Sequence, residues 1–255
     1  MKRFLALLYG VLVYGVFLGT FSYAIGFVGN VFVPKSIDSG PAGPPLTSIL
    51  IDALLLSAFA VQHSVMARQG FKRRWTKIVS WPVERSTFVL AASLVLMLLL
   101  WQWRPLPHVL WDLRGSAGAL VLNVLFWAGW AILLISTFLI NHFELFGLYQ
   151  VWVYFRGSEF HPPAFRTPSF YRYVRHPIYL GFVIAFWSAP LMTAGHLLFS
   201  FATTGYILLG IYFEERDLGN LHGQQYREYQ AKVPMLVPFA KSKPENTRAV
   251  NDQRT

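Results

Sequence analysis

The amino-acid sequence predicts an all-α integral membrane protein, built as a helical bundle of about six transmembrane helices. Hydrophobic residues make up 55% of the 255 positions. Charged residues make up only 13%, about half the share that is usual in soluble domains. The mean hydropathy is +0.42. The sequence also contains a series of almost uncharged apolar runs, and each is near the roughly 20 residues that a helix needs to cross the hydrocarbon core.

The composition also excludes several classes of protein. So apolar a chain is not intrinsically disordered. The absence of cysteine excludes a disulfide scaffold, a thiolate metal site and a cysteine nucleophile. The net charge of +10 can indicate a nucleic-acid partner, but in this chain it indicates basic loops on the inner face of a membrane. We therefore expect the lipid bilayer, and no nucleic acid, as a partner.

The apolar runs predict the individual spans in order. The first four are residues 4–28, 46–66, 87–103 and 118–140. The run 178–213 is too long for one helix, and Ala194, Gly195 and His196 near its middle indicate a turn. We predict two antiparallel helices there, with the first kinked at Pro190. This gives six spans, and five or seven remain open.

Loop charges predict the orientation of the bundle. Lysine and arginine are concentrated in the loops 67–86 and 141–177. The loops on the other side, 29–45 and 104–117, contain few of them: Lys35, Arg104 and Arg114. The positive-inside rule therefore places both termini in the cytoplasm. We predict one membrane domain over residues 1–240, followed by a disordered polar tail over 241–255.

Polar side chains gather at the cytoplasmic ends of the predicted spans. The five clusters are Gln62-His63-Ser64, Glu84-Arg85-Ser86, Asn141-His142-Phe143-Glu144, Arg175-His176-Pro177 and Glu214-Glu215-Arg216-Asp217. Any one of them can simply meet the lipid headgroups, but five at one depth indicate a shared polar pocket. We predict no metal there, because no pair of histidines has the short spacing of a zinc motif.

Two of these clusters suggest how a charged ligand would be held. Pro177 fits the first turn of a helix, where the preceding N–H groups lie at the positive helix end and suit a carboxylate. Glu214 and Glu215 follow an apolar run and point about 100° apart on a helix. One carboxylate can therefore face the bundle, where it would attract an ammonium or a sulfonium group.

The later motifs resemble those of a known superfamily. The segment Arg175–Gly181, the Glu214-Glu215 pair, Tyr226–Tyr229 and Val233–Pro238 together resemble the isoprenylcysteine carboxyl methyltransferases. The earlier motifs are similar to the methanethiol S-methyltransferase and NnrU-like branch of that superfamily: Gln62–Arg68, Glu84–Thr87 and Asn141–Gly147. With these segments the resemblance extends over residues 5–240.

The resemblance implies an S-adenosylmethionine-dependent enzyme of the bacterial inner membrane. In its branch the reaction is methylation of methanethiol to dimethyl sulfide. The residues that would line the cofactor site are Tyr173, Arg175, His176, Tyr179 and Leu180. Glu214 or Glu215 would hold the amino-acid end or the ribose of the cofactor, and residues 233–238 would close over it.

The acceptor side is less specified by the sequence. A thiol reacts as its thiolate, so a base or a positive charge is expected. His142 is the first candidate for the base and His63 the second, while Arg175 or Arg85 would stabilise the anion. Aromatic residues would wall a small pocket: Phe143, Phe146, Tyr149 and Trp187. An isoprenylcysteine or lipid acceptor, and a non-enzymatic NnrU-like role, remain open alternatives, as does the oligomeric state.

Overall fold

The computed structural model describes residues 1–161 and 166–238, so the tail predicted over 241–255 lies outside the described residues. In chain order the elements are α1 (Lys2–Gly29), α2 (Pro45–Ala67), α3 (Gln69–Trp75), α4 (Trp81–Gln102), β1 (Val109–Asp112), α5 (Ala117–Ile140), α6 (His142–Leu145), α7 (Leu148–Arg156), α8 (Pro177–Trp187), β2 (Leu191–Thr193), α9 (Ala194–His222) and α10 (Gln224–Lys232). A turn of 3-10 helix, Ser169–Arg172, precedes α8. The fold is therefore the predicted all-α membrane bundle.

Among the described residues, five helices are long and apolar enough to cross a membrane: α1, α2, α4, α5 and α9. The first four coincide with the first four predicted spans. Their ends follow ordinary local signals: Pro45 opens α2, and Asn30 ends α1 in the left-handed conformation, with its N–H bonded to the carbonyl of Gly26. Many large apolar side chains on these helices are exposed, as expected for a surface that faces lipid.

The region 178–213 differs from its prediction in several respects. Two helices are present, but the turn predicted at Ala194, Gly195 and His196 is wrong, because these residues form the first turn of α9. The chain reverses before them, since α8 already ends at Trp187 and has only 11 residues. A helix of that length extends about 16 Å, roughly half the hydrocarbon core. The predicted kink at Pro190 is wrong, because Pro190 lies in the connection after α8. By contrast, α9 is longer than predicted, because it continues to His222 and the predicted run ended at residue 213.

A small β-ribbon, which the sequence did not indicate, lies where the chain passes from α8 to α9. β2 pairs antiparallel with β1, with Val109 opposite Thr193 and Asp112 opposite Leu191. The indole of Trp111 donates to the carbonyl of Ala189 at 3.0 Å and fastens the ribbon to the chain that leaves α8.

The helices alternate in direction, so α1, α4 and α8 begin at the same end of the bundle where α2, α5 and α9 end. We call this the site end and the opposite one, which carries the ribbon, the far end. The α5–α8 pair is the most extensive helix contact. Gly181 allows it, because a Cβ there would lie 2.6 Å from the carbonyl oxygen of Gly129. All five predicted polar clusters lie at the site end.

Candidate functional site

One carboxylate ties the segment before α8 to α9. Arg175 Nε donates to Glu215 Oε1 at 2.7 Å, and His176 Nε2 lies 3.0 Å from the same oxygen. The second oxygen, Glu215 Oε2, accepts from Gln230 Nε2 at 3.2 Å. Arg175 Nη1 also donates to the backbone carbonyls of Gln230 and Val233, at 3.0 and 2.6 Å. We call these five residues the latch.

Backbone hydrogen bonds extend the latch into the C-terminal segment. The amide of Arg175 donates to the carbonyl of Pro234 at 2.9 Å, and that of His176 to Met235 at 3.2 Å. The hydroxyl of Tyr229 donates to the carbonyl of Tyr171 at 2.5 Å, and burial raises the pKa of Tyr229 to about 12, so this donor stays protonated. The segment after α10 is thus fixed across the start of α8.

The two adjacent glutamates have different surroundings. The Glu215 side chain is 17% exposed and points into the latch, whereas that of Glu214 is 44% exposed. Glu214 shares a side-chain hydrogen bond with Tyr179 and lies 3.8 Å from His176 Nδ1. Tyr173 is exposed on the same segment. Part of the Glu214 carboxylate is therefore accessible beside the latch, and the exposed Tyr173 lies on the segment that the latch holds.

His142 is buried and both of its ring nitrogens have protein partners. Nδ1 lies 2.8 Å from the hydroxyl of Thr137, which itself donates to the carbonyl of Leu134. The threonine oxygen therefore accepts from Nδ1–H, and Nε2 accepts from the hydroxyl of Tyr14 at 2.7 Å. The ring stacks on Phe138 at 4.2 Å between centroids. Burial lowers the pKa of His142, which agrees with a neutral ring.

Local turns return the chain after α5 to the bundle. The side chain of Asn141 accepts from the amide of Glu144 and so caps α6. Gly147 has a φ of +88°, and a Cβ there would meet the backbone of Ser86 on α4 at 2.7 Å. Phe146 is thereby placed 4.0 Å, centroid to centroid, from the ring of Phe17 on α1.

A second polar cluster lies between α2 and α4. The ring of His63 lies against Phe59 and Phe88, at centroid distances of 5.5 and 5.0 Å. Arg85 donates from Nε to the carbonyl of Leu145 at 2.8 Å, and its guanidinium lies 5.1 Å from the same Phe88 ring. We call His63, Arg85, Phe59 and Phe88 the α2–α4 pocket.

Several polar atoms at this pocket have no protein partner. Within residues 1–161 and 166–238, His63 Nδ1 is buried without a hydrogen bond, and so are Gln62 Oε1 and Glu84 Oε1. A buried polar atom without a partner costs about 1–3 kcal/mol, so such atoms in a native protein usually meet a ligand or water.

The remaining predicted residues are dispersed. Phe143 is half exposed beside Tyr14, and Tyr149 contacts Phe160 at 5.9 Å. Trp187 lies at the other end of α8, where its indole donates to Thr204, so it does not share a pocket with Phe146. Leu180 is half-buried one turn into α8. The structure thus unites Arg175, His176 and Glu215, and separately His63 with Arg85.

Sequence reasoning missed Tyr14, Thr137, Gln230 and Phe88. Gln230 lies between the motifs Tyr226–Tyr229 and Val233–Pro238, and it contacts Glu215. No local pattern marked Tyr14, which is separated from His142 by 128 positions in the chain.

Known proteins are similar to this chain over most of its length. The chain is 56% identical over 239 residues to methanethiol S-methyltransferase of Mycobacterium tuberculosis, covering 94% of this chain and 98% of the relative. It is 52% identical over 239 residues to methanethiol S-methyltransferase of Crocosphaera subtropica, covering 94% of each. The chain belongs to the methanethiol S-methyltransferase family. Membership in this family makes the protein a methyltransferase and confirms the resemblance drawn from its motifs.

A more distant relative agrees with the wider superfamily. Nurim of Rattus norvegicus is 30% identical over 194 residues, which cover 72% of this chain and 73% of Nurim. No family model matches the chain, and no solved structure matches it. The methanethiol S-methyltransferase family is therefore assigned from the relatives alone.

Proposed function

We propose that the protein transfers a methyl group from S-adenosylmethionine to methanethiol and forms dimethyl sulfide. The observation that carries this proposal is the match, over 94% of the chain, to relatives named for that reaction. The five polar clusters that gather at the site end support it, because they lie within the matched region.

The residues beside the latch fit the chemistry of S-adenosylmethionine. The cofactor carries a carboxylate, an ammonium, a ribose, an adenine and a sulfonium. The amides of Arg175 and His176, which the sequence suggested for the carboxylate, already bond to Pro234 and Met235. The first-turn amides that follow Pro177 are the ones that suit the carboxylate. Glu214, exposed beside the latch, suits the ammonium or the ribose hydroxyls, and the rings of Tyr173 and Tyr179 suit the adenine or the sulfonium. Arg175, His176 and Leu180 would complete this wall.

When bound, S-adenosylmethionine supplies an activated methyl group on a positively charged sulfur. The protein has to align a nucleophile with that carbon and exclude water. The latch serves both needs, because Glu215 fixes Arg175 and His176 while residues 233–235 cover the start of α8. Glu215 is accordingly a positioning residue in this proposal, and Glu214 is the carboxylate that touches the cofactor.

The site end is proposed to face the cytoplasm of a bacterial inner membrane. It contains the basic loops 67–86 and 141–177, which favour the inner face, and both Met1 and the end of α10. S-adenosylmethionine is a polar solute of the cytoplasm, whereas dimethyl sulfide is neutral and apolar and leaves through lipid. The proposed partners are therefore the small thiol and the bilayer.

The test is the reaction itself, performed on the purified protein in detergent. The protein is incubated with methanethiol and S-adenosylmethionine whose transferable methyl carries three deuterons, and the headspace is analysed by mass spectrometry. We expect dimethyl sulfide with one labelled methyl, and none without protein. Glu214→Gln should weaken cofactor binding roughly ten- to a hundredfold, the loss of a charge-assisted hydrogen bond.

Other outcomes would overturn the proposal. Label transferred to an isoprenylated cysteine or a lipid, with none to methanethiol, would assign a different acceptor. Calorimetry that detects no S-adenosylmethionine binding to the intact protein would contradict the enzymatic role and favour the non-enzymatic alternative.

A further inference from the structure

Two of the histidines at the site end, His63 and His142, differ in what their ring nitrogens contact. His142 already accepts from Tyr14 at Nε2 and donates to Thr137 from Nδ1, so it has no lone pair available without breaking a hydrogen bond. His63 has a buried Nδ1 with no protein partner among the described residues. The acceptor for a substrate proton is therefore better supplied by His63.

The surroundings of His63 suit a small, partly apolar substrate. Its ring contacts two phenyl rings, those of Phe59 and Phe88, so its surroundings are largely apolar. The guanidinium of Arg85 lies 5.1 Å from the centroid of the Phe88 ring and brings a positive charge to the same pocket. An apolar wall with one acceptor and one cation matches what a methyl group, a thiol proton and a developing thiolate need.

The pocket also adjoins the proposed cofactor wall. The hydroxyl of Tyr206 on α9 lies 3.2 Å from that of Ser64, the residue after His63, and its ring lies 6.4 Å from that of Phe59. Tyr206 is in turn close enough to Tyr179 to interact with it electrostatically. Contacts therefore lead from His63 and Ser64 to Tyr206, and an electrostatic interaction leads from Tyr206 to Tyr179 beside the latch.

We propose that the α2–α4 pocket is the thiol site, where His63 Nδ1 accepts the thiol proton and Arg85 stabilises the thiolate. This inference rests on the proposed function. In the step, the S–H bond breaks and the proton passes to Nδ1 of the Nε2–H tautomer. The sulfur electron pair then forms a bond to the methyl carbon, while the carbon–sulfonium bond breaks and leaves its pair on the cofactor sulfur. Dimethyl sulfide and S-adenosylhomocysteine result, and the proton on His63 is released to water.

Arg175, the other predicted cation, is held in the latch by Glu215 and two carbonyls. Arg85 donates from Nε to the carbonyl of Leu145, and within the described residues its two Nη atoms have no hydrogen bond, although the charges of Glu84 and Glu144 act on it. The charged group that acts on His63 is Arg85 on α4. Lys72 on α3 interacts in turn with Arg85 and Glu84, and Tyr206 on α9 bonds the neighbouring Ser64.

The experiment measures methyl transfer to two thiols of different acidity, methanethiol and the more acidic 2,2,2-trifluoroethanethiol, from pH 6 to pH 10. The variants are His63→Ala and, as a matched control at the far end, His108→Ala, which loses an exposed imidazole. We expect His63→Ala to lower kcat/KM for methanethiol at pH 7 by about 10²–10⁴-fold, with S-adenosylmethionine binding unchanged. The loss should shrink as the pH rises, be smaller for the acidic thiol, and be partly reversed by added imidazole.

The outcomes separate this inference from the function on which it rests. If the wild-type protein forms no dimethyl sulfide, the proposed function fails and this site with it. If the wild type is active and His63→Ala resembles His108→Ala, only the His63 assignment is overturned. An equal loss for both thiols at every pH, without imidazole rescue, would mean that His63 is structural. Should His63→Ala not fold, His63→Gln retains the size and hydrogen bonding but cannot take the proton, so the same loss is expected.

Discussion

The latch and the α2–α4 pocket lie at the same end of the bundle, yet their polar atoms are satisfied to different degrees. In the latch, both oxygens of Glu215 accept hydrogen bonds, and Arg175 donates to one carboxylate and two carbonyls. In the pocket, the buried Nδ1 of His63 has no partner among the described residues, and neither do buried side-chain oxygens of Gln62 and Glu84, which flank His63 and Arg85 in the chain. The first cluster is complete without a ligand, and the second is not.

In our proposal this difference distinguishes residues that hold the fold from residues that would meet the substrate. A buried ion pair with all its hydrogen bonds formed stabilises a particular arrangement of segments, and ligand binding there would have to break it. An unpartnered buried atom gains free energy when a ligand supplies the missing contact. By this reasoning the two candidate cations have different roles. Arg175 joins two segments of the fold, whereas Arg85 would stabilise the thiolate.

The largest effect is expected from breaking the latch. Glu215→Ala leaves Arg175 and His176 without their shared carboxylate. The site is buried, since the side chain of Arg175 is 11% exposed and that of Glu215 is 17% exposed. Removal of one partner of a buried pair costs about 3–5 kcal/mol, and we expect that loss in the free energy of unfolding in detergent. The control is Glu214→Ala, which removes a carboxylate that is 44% exposed and should cost less than about 1 kcal/mol. Equal costs for the two variants would contradict the distinction between these glutamates.

A smaller effect is expected where α5 and α8 cross beneath the latch. Gly181→Ala would place a Cβ 2.6 Å from the carbonyl of Gly129, so the helices must separate, and overpacking of this kind costs about 1–3 kcal/mol. Gly205→Ala on α9 is the matched control, because nothing lies within 4 Å of its Cβ position. Thermal unfolding should show a lower midpoint for the first variant only. A Gly181→Ala protein as stable as Gly205→Ala would show that the crossing is looser than described.

The smallest effect is expected at His142, whose two ring nitrogens both have hydrogen-bond partners. Tyr14→Phe removes one hydrogen bond to His142 and should cost about 0.5–1.5 kcal/mol, with the rate of methyl transfer nearly retained. Burial lowers the pKa of His142 below that in the unfolded chain, so the unfolded state binds more protons and wild-type stability falls as the pH drops below about 6.5.

The tyrosine hydroxyl bonds the neutral ring, so Tyr14→Phe also lets the pKa of His142 rise toward its ordinary value. The stability difference between wild type and Tyr14→Phe should therefore be smaller at pH 5.5 than at pH 8, as thermal unfolding at both pH values will show. A loss of activity near that of His63→Ala would instead make His142 the base and contradict the comparison of the two histidines.

The long spans were predictable because the signal is local. A run of about 20 apolar residues has no alternative in a bilayer but a helix, and α1, α2, α4 and α5 follow directly. The start of α8 was equally readable, since Pro177 occupies the first helical turn as expected. Glu214 and Glu215 were expected to point in different directions, and the periodicity of α9 does separate them.

What the sequence did not reveal depends on contacts between distant segments. The end of α8 is set by the pairing of β1 with β2, two short strands about 80 positions apart with no alternating pattern of their own. The protonation and hydrogen bonding of His142 depend on Tyr14, which is placed there only by the packing of α1 against the segment after α5. A histidine's availability to substrate is therefore a property of the packed bundle, and its position at a helix end does not determine it.

The short α8 has a consequence for the membrane in which the protein lies. Beyond Trp187 the chain passes into the β-ribbon, and the core around this half of the bundle contains buried rings, among them Phe27, Trp103 and Phe186. His63 lies at the opposite end, so in the proposed reaction the thiol proton is taken up and released at the site end. Methyl transfer of this kind would therefore move no proton across the bundle.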